Sequence, residues 1–208
     1  MVRGAASTRV ARVPRRSSRR AELVALAAEL FADRGFAGVT VDDIGAAAGV
    51  SGPALYHHFE GKEALLGEML VGISESLLAK ALAIVDRVGD DGARALDELI
   101  AMHVEFALDD RALITVHFRD LVHASDADQR RVRELQHDYV DIWVDALLAE
   151  TPDLEPRTAR AAVHAALGLI NSTPFSGRLR RDDMVVLLRT MAVAALRAGA
   201  HALSPSPD

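Results

Sequence analysis

The chain has 208 residues, half of them apolar and 26% charged, an ordinary balance for a soluble globular protein with room for one large domain or two modest ones. It has no cysteine, which excludes disulfides, thiolate metal sites and a cysteine nucleophile. No run approaches about 18 consecutive apolar residues, which excludes a membrane-spanning helix. The formal net charge of −6 argues at face value against a nucleic-acid partner.

The distribution of that charge says otherwise. Residues 1–20 carry seven arginines and no acid. Through Lys62 there are nine cations against six acids, and the remainder carries fifteen against twenty-four. Such asymmetry suggests a basic head for a polyanion and an acidic body with another task. A secretory signal would need an apolar stretch after the arginines, and none is present. An organellar transit peptide would share the arginine- and serine-rich, acid-poor composition. A disordered arm over residues 1–16 that touches phosphates is the reading favoured if the next segment binds nucleic acid.

Alanine supplies 37 residues and only nine side chains are aromatic, a mixture that favours packed helices over sheets. Leu23, Leu26, Ala27, Leu30 and Phe31 recur at three and four, predicting a first helix that Ser18 caps and Gly35 ends. Thr40 opens a short helix with Asp43 in a capping-box position, and Gly49 stops it. Ser51 caps a third, with Pro53 tolerable in its first turn. After Gly61 comes a long amphipathic helix with Leu66, Leu70, Ile73, Leu77, Ala81 and Val85 on one side. Further helices are expected over 92–108, 111–123, 127–150, 157–170 and 182–199, with breaks at Asp153 and Pro156 and at Pro174 and Gly177. Val39–Val41 is too short for a strand. The expected fold is all-α with about nine helices.

The segment 40–59, TVDDIGAAAGVSGPALYHHF, carries most information. Two short helices meet at a turn on Gly49, and Ile44, Ala48, Val50 and Leu55 would lock them at a steep angle. One helix can then cross a DNA backbone while the next lies in the major groove. The stretch from Leu30 to Leu65 resembles the N-terminal DNA-binding domain of TetR-family transcriptional regulators. The matching positions are Leu30, Phe31, Gly35, Phe36, Thr40, Val41, Ile44, Ala48, Gly49, Val50, Ser51, Leu55, Tyr56, His58, Phe59, Lys62 and Leu65.

That resemblance implies an Arg-rich arm at 1–16, a DNA-binding domain at 17–62, a ligand-binding and dimerisation domain at 63–203, and a disordered tail at 204–208. It implies phosphate contacts from Thr40, Tyr56 and Lys62, which position the protein without reading sequence. Base reading falls to Ser51, Gly52, Pro53, Ala54 and His57, while Leu55 and Phe59 are core. Many relatives have Lys, Arg or Thr where Gly52, Pro53 and Ala54 stand here. Direct readout is therefore thin, and Asp42 and Asp43 would repel phosphate, so the arginine arm is expected to add affinity in a minor groove.

The resemblance further implies a homodimer through the last two helices on palindromic double-stranded operator DNA. Ala159, Ala162, Val163, Ala166 and Gly168 permit close approach, and Met184, Leu187, Leu188, Met191, Ala195 and Leu196 face them. A small-molecule effector would lie among the middle helices, with Met102, His103, Phe106, His117, Phe118, Tyr139, Trp143, His164, Asn171 and Phe175 as candidates. They suggest an apolar or amphipathic effector; Arg178, Arg180 and Arg181 could serve a phosphate. Helices 62–88 and 92–108 would transmit the change. The expected function is a cytoplasmic repressor, not an enzyme, with no cofactor or metal.

Two readings compete. Glu134, His137, Asp120, His123 and Glu105 resemble the spacing of helical di-metal enzymes but lack the two symmetric motifs those require. A helical scaffold that binds no DNA would share the composition.

Overall fold

The computed structural model describes residues 15–51, 55–176 and 179–202. Helix α1, Arg15–Arg34, starts earlier than the sequence suggests, so Ser18 lies within it rather than capping it. Arg15 and Arg16, assigned above to the arm, are helical; residues 1–14 lie outside the described residues, as do 203–208. Leu23, Ala27, Ala28 and Phe31 form the buried stripe of α1. Gly35, at φ 76°, closes the helix by donating its N–H to the Phe31 carbonyl.

Thr40 caps α2, Val41–Ala47: its hydroxyl accepts from the Asp43 N–H, and the Asp43 carboxylate accepts from the Thr40 N–H. The exit from α2 is equally defined. Val50 N–H reaches the Gly45 carbonyl and Gly49 N–H the Ala46 carbonyl, with Gly49 at φ 66°. This paired closure requires a left-handed residue, and glycine supplies it without Cβ strain.

The long α3 runs Lys62–Val88, followed by α4, Gly92–Asp109, and α5, Arg111–Asp120. The last turn of the expected helix 111–123 tightens into a 3₁₀ turn, Leu121–His123. Ser125 caps α6, Asp126–Glu150, and Glu155 caps α7, which opens with Pro156 and ends at Ile170. A one-turn α8, Thr173–Ser176, occupies the place read as a break, and α9 runs Arg181–Ala202. Among the described residues there is no strand.

Two apolar cores result. The first joins α1, α2, Leu55 and Phe59 to Leu65, Leu66, Met69 and Leu70 of α3, with Val116, Ala124 and Val132 from the body. The second packs α4, α6, α7 and α9 around Leu99, Ile100, Trp143, Leu147 and Ile170. Helix α3 is thus common ground: its first turns serve the N-terminal core while Ala81 and Ile84, near its end, serve the second.

Candidate nucleic-acid interface and ligand cavity

The helix-turn-helix is held from behind by arginines that the sequence grouped with a basic tail. Arg19 donates to the Ala48 carbonyl at the end of α2 and pairs with Glu22 at 2.6 Å. Arg20 donates to the His58 carbonyl, pairs with Glu68 and lies 4.3 Å from the centre of the Phe59 ring. The Glu68 carboxylate raises the Arg20 pKa, against the opposing effect of burial. These two cations are therefore spent inside the protein.

Leu55 and Phe59 are buried, whereas Ser51, Tyr56 and His57 are exposed, Tyr56 by 59%. Ser51, Tyr56 and His57 are thus each open to solvent. Gly52, Pro53 and Ala54, proposed base readers, lie outside the described residues. Thr40 sits at the exposed start of α2, but its hydroxyl also donates to Asp43 at 2.6 Å. A phosphate there would have to displace that bond. The Thr40 contacts hold the Asp43 carboxyl below its ordinary pKa. Lys62 is more constrained than a pure phosphate anchor: its ammonium donates to the Phe36 carbonyl at 3.0 Å and the Val39 carbonyl at 3.1 Å, over the Phe36 ring. One of its three N–H groups remains.

In the body, α3, α4, α5, α6 and α7 surround a cavity of about 460 Å³. Of the sequence candidates, His103, Phe106, His117, Phe118, Tyr139, His164 and Asn171 line it. Met102, Trp143 and Phe175 do not: Trp143 is fully buried in the core, Met102 packs against that core, and Phe175 is 78% exposed on α8. Helix periodicity identifies the buried face that holds Met102 and Trp143 but not which buried residues stop short of the cavity, and Phe175 lies on the surface instead.

Polar groups inside form a directed chain. His103 lies 3.1 Å from Asn171 Oδ1 through Nε2 and 3.0 Å from the Tyr139 hydroxyl through Nδ1. Burial pushes the His103 pKa down to about 4, against a smaller upward pull from Asn171. Burial likewise raises the Tyr139 phenol, opposed by Trp143, whose buried indole nitrogen nonetheless has no hydrogen-bond partner among the described residues. Toward α5, burial lowers the His117 pKa and its contact with Gln136 opposes the shift.

The cations at the cavity differ from those expected. Arg181 pairs with Glu105 and Asp109, and Arg180 lies 3.8 Å from Asp182; neither lines the cavity, and Arg178 lies outside the described residues. Arg133 and Arg160 line it instead, with His137 and His164. Arg160 and His137 share Asp141, whereas Arg133 has no hydrogen bond or ion pair among the described residues. No carboxylate is among the lining side chains. Within an acidic body, this is a cationic and apolar enclosure suited to an anionic amphiphile.

Helix α5 joins cavity to reading head. Leu113, Ile114, His117 and Phe118 face the cavity. The next residue, Arg119, donates to the Phe31 carbonyl and, at 3.2 Å, to the Ala32 carbonyl, both at the end of α1. Asp120, 2% exposed, holds the same guanidinium at 3.1 Å.

The di-metal reading finds its carboxylates engaged otherwise. Asp120 meets Arg119, Glu134 meets Arg131 and Glu105 meets Arg181. Among the described residues, no three His, Asp or Glu side chains are grouped to hold a metal. Nor is any described helix long and apolar enough to cross a membrane.

The residues expected at the dimer face fall into two sets. Ala159, Ala162, Val163, Ala166, Met184, Leu188 and Leu196 are buried within the chain, where α7 packs on α9. The apolar residues left exposed on α9 are Val186, Leu187 and Met191.

Comparison with known proteins gives two family matches. Residues 23–69 match the model described as bacterial regulatory proteins, tetR family, and residues 89–196 the tetracyclin repressor-like C-terminal domain. The HTH-type transcriptional repressor KstR2 of Rhodococcus jostii (strain RHA1) is 36% identical over 140 residues, covering 66% of this chain and 68% of that protein. The structure of ketosteroid transcriptional regulator KstR2 of Mycobacterium tuberculosis superposes with a TM-score of 0.73 at 26% identity, over 88% of this chain and 95% of that one. AibR, solved in complex with isovaleryl coenzyme A and operator DNA, has a TM-score of 0.68 at 20% identity, over 83% of this chain and 97% of its own, a likeness of fold.

Proposed function

The chain belongs to the TetR family of bacterial regulatory proteins, and from that premise we propose that it is a dimeric repressor released from a palindromic operator by an anionic amphipathic effector. The coarser part, a ligand-responsive DNA-binding regulator, follows from the family itself. Repression is supported by the KstR2 relatives, which are named repressors. Dimerisation is supported by a geometric need: two recognition segments must sit about 34 Å apart to reach successive major grooves. The exposed Val186, Leu187 and Met191 on α9 offer an apolar surface for it.

In this reading, Ser51 and His57 donate to base edges, Tyr56 and the free N–H of Lys62 meet phosphates, and Thr40 exchanges Asp43 for a phosphate at the α2 N-terminus. Gly52, Pro53 and Ala54 belong to the same base-reading set, and the arginine arm adds a salt-sensitive contact. The reading head is residues 17–62 and the sensing body 63–203. A bacterial DNA-binding regulator of this kind works in the cytoplasm.

The carrying observation for regulation is α5, which lines the cavity with four side chains and clamps α1 with its next residue. A ligand that pushes His117 and Phe118 outward moves Arg119, and with it the end of α1 and the helix-turn-helix behind it. Helix α5 therefore joins α3 as the transmitter, in place of helix 92–108. Release requires differential affinity: shifting a population from 1:99 to 99:1 takes about a 10⁴-fold preference for the released conformation.

Selection of genomic fragments by the purified protein tests the operator claim. The expected product is a palindrome bound by two protomers, with affinity falling about 10³- to 10⁵-fold between 50 and 200 mM salt if six to ten phosphates are neutralised. Absence of specific binding at every salt concentration would favour the scaffold.

A further inference from the structure

We propose that the cavity reads an uncharged oxygen, a ketone or hydroxyl on the apolar part of its ligand, through the side-chain amide of Asn171. This rests on the effector-site reading above.

Among the polar side chains of the lining, His103 from α4, Tyr139 from α6 and Asn171 from the end of α7 form one hydrogen-bonded chain. His103 is 3% exposed and Tyr139 6%, and Phe106, Val140 and Leu167 surround them on the lining. The Asn171 carbonyl oxygen faces His103 Nε2 at 3.1 Å, so that nitrogen donates. A neutral imidazole has one N–H, which leaves His103 Nδ1 to accept from the Tyr139 hydroxyl at 3.0 Å. Every donor and acceptor on His103 is consumed.

Two capacities remain. The Asn171 amide nitrogen makes no hydrogen bond among the described residues, and it carries two N–H groups fixed in direction by the carbonyl's bond to His103. The Tyr139 oxygen keeps a lone pair. A carbonyl oxygen can accept from the amide; a hydroxyl can accept from the amide and donate to the phenol. A purely hydrocarbon ligand would cover the amide and leave it unpaired. An anionic oxygen would lack a countercharge here, because His103 stays neutral.

The cations stand apart from this chain of bonds. Arg133 precedes Tyr139 by six residues of α6, about 9 Å of helix, and Arg160 precedes Asn171 by eleven, about 16 Å. The lining therefore suits a molecule that carries an acidic group for the arginines and, separately, a neutral oxygen for Asn171.

Matched pairs of acids provide the test: decanoate against 9-oxodecanoate, and cyclohexanepropionate against 4-oxocyclohexanepropionate. Trp143 is the chain's one tryptophan, 6.0 Å ring to ring from His103, so its emission reports binding to the full-length protein directly. The expected result is that the oxo acid of at least one pair binds roughly tenfold tighter than its parent. Asn171→Leu should abolish the preference, so that the two members of each pair bind alike. Tyr139→Phe, which keeps the ring and its packing, should reduce the preference. A wild type that binds the members of both pairs equally, or a preference that persists in both variants, would overturn the proposal while leaving the cavity reading intact. Failure of all four acids to bind would overturn both.

Discussion

In the reading head, Arg19, Arg20, Lys62 and Arg119 donate to backbone carbonyls at helix ends and loops, whereas in the body His103, Tyr139 and Asn171 bond to one another beside a void. Charged donors on carbonyls pin short helices that could not persist alone. Neutral groups around a cavity keep polar capacity in reserve for a ligand. The head is thus built to hold one shape, and the body to be completed by another molecule. Arg119 belongs to the body by chain position and to the head by its bonds, so it is where the two designs meet.

The largest effect should come from breaking the head alone. Phe31 is fully buried in the first core, and Phe31→Ala should cost about 3–5 kcal/mol there. Operator binding should be lost well below the temperature at which Trp143 emission changes. Simultaneous loss of both signals would mean that the two cores unfold as one unit and that the contrast is smaller than their packing suggests.

The body should respond to acid. His103 has a folded pKa of about 4 against an ordinary 6.5, so the unfolded chain binds the proton first. Its contribution is complete above pH 6.5 and declines as pH falls toward 4, at about 1.4 kcal/mol per unit, roughly 3 kcal/mol across the window. His117, lowered for the same reason, adds in the same direction. Denaturant midpoints of the wild type and His103→Phe should diverge in slope between pH 4 and 6.5 and run parallel above it. Equal slopes throughout would remove His103 from the account.

The junction should carry a smaller quantity, the coupling itself. Replacing Arg119 by Leu and Asp120 by Asn together removes the clamp without leaving a buried carboxylate unpaired. The double variant should still bind cavity ligands, while the effect of those ligands on operator affinity falls from the usual allosteric range of about 1–3 kcal/mol toward zero. Gel shifts with and without 9-oxodecanoate measure it, provided that this acid binds. Full retention of the response would assign transmission to α3 alone.

Much of the head was legible because its signals are local. Thr40 with Asp43, Gly35 and Gly49 are short-range devices, and the structure realises each of them. The start of α1 was not, since Ser18 is a plausible cap wherever it stands and the helix begins at Arg15. In the body, periodicity found the helices but not how they cross. Arg133 and Arg160 carry no distinguishing signal in the sequence, and only the arrangement of α6 and α7 brings both to one cavity. The same limit hides that Trp143 stops short of the cavity. Arg119 carried no signal in sequence because its partners, the carbonyls of Phe31 and Ala32, lie almost ninety residues earlier, at separations of 88 and 87.

The central claim is that occupation of the cavity and occupation of DNA oppose each other, and reciprocal titration tests it most directly. The anionic probe 11-(dansylamino)undecanoate would be titrated into the free protein and into the protein saturated with its selected operator duplex. Linkage requires the operator to weaken the probe by the same factor as the probe weakens the operator. The account predicts equal factors of about 5- to 150-fold, the ordinary range of such couplings. A probe that enters the cavity with the same affinity whether or not DNA is bound would contradict it.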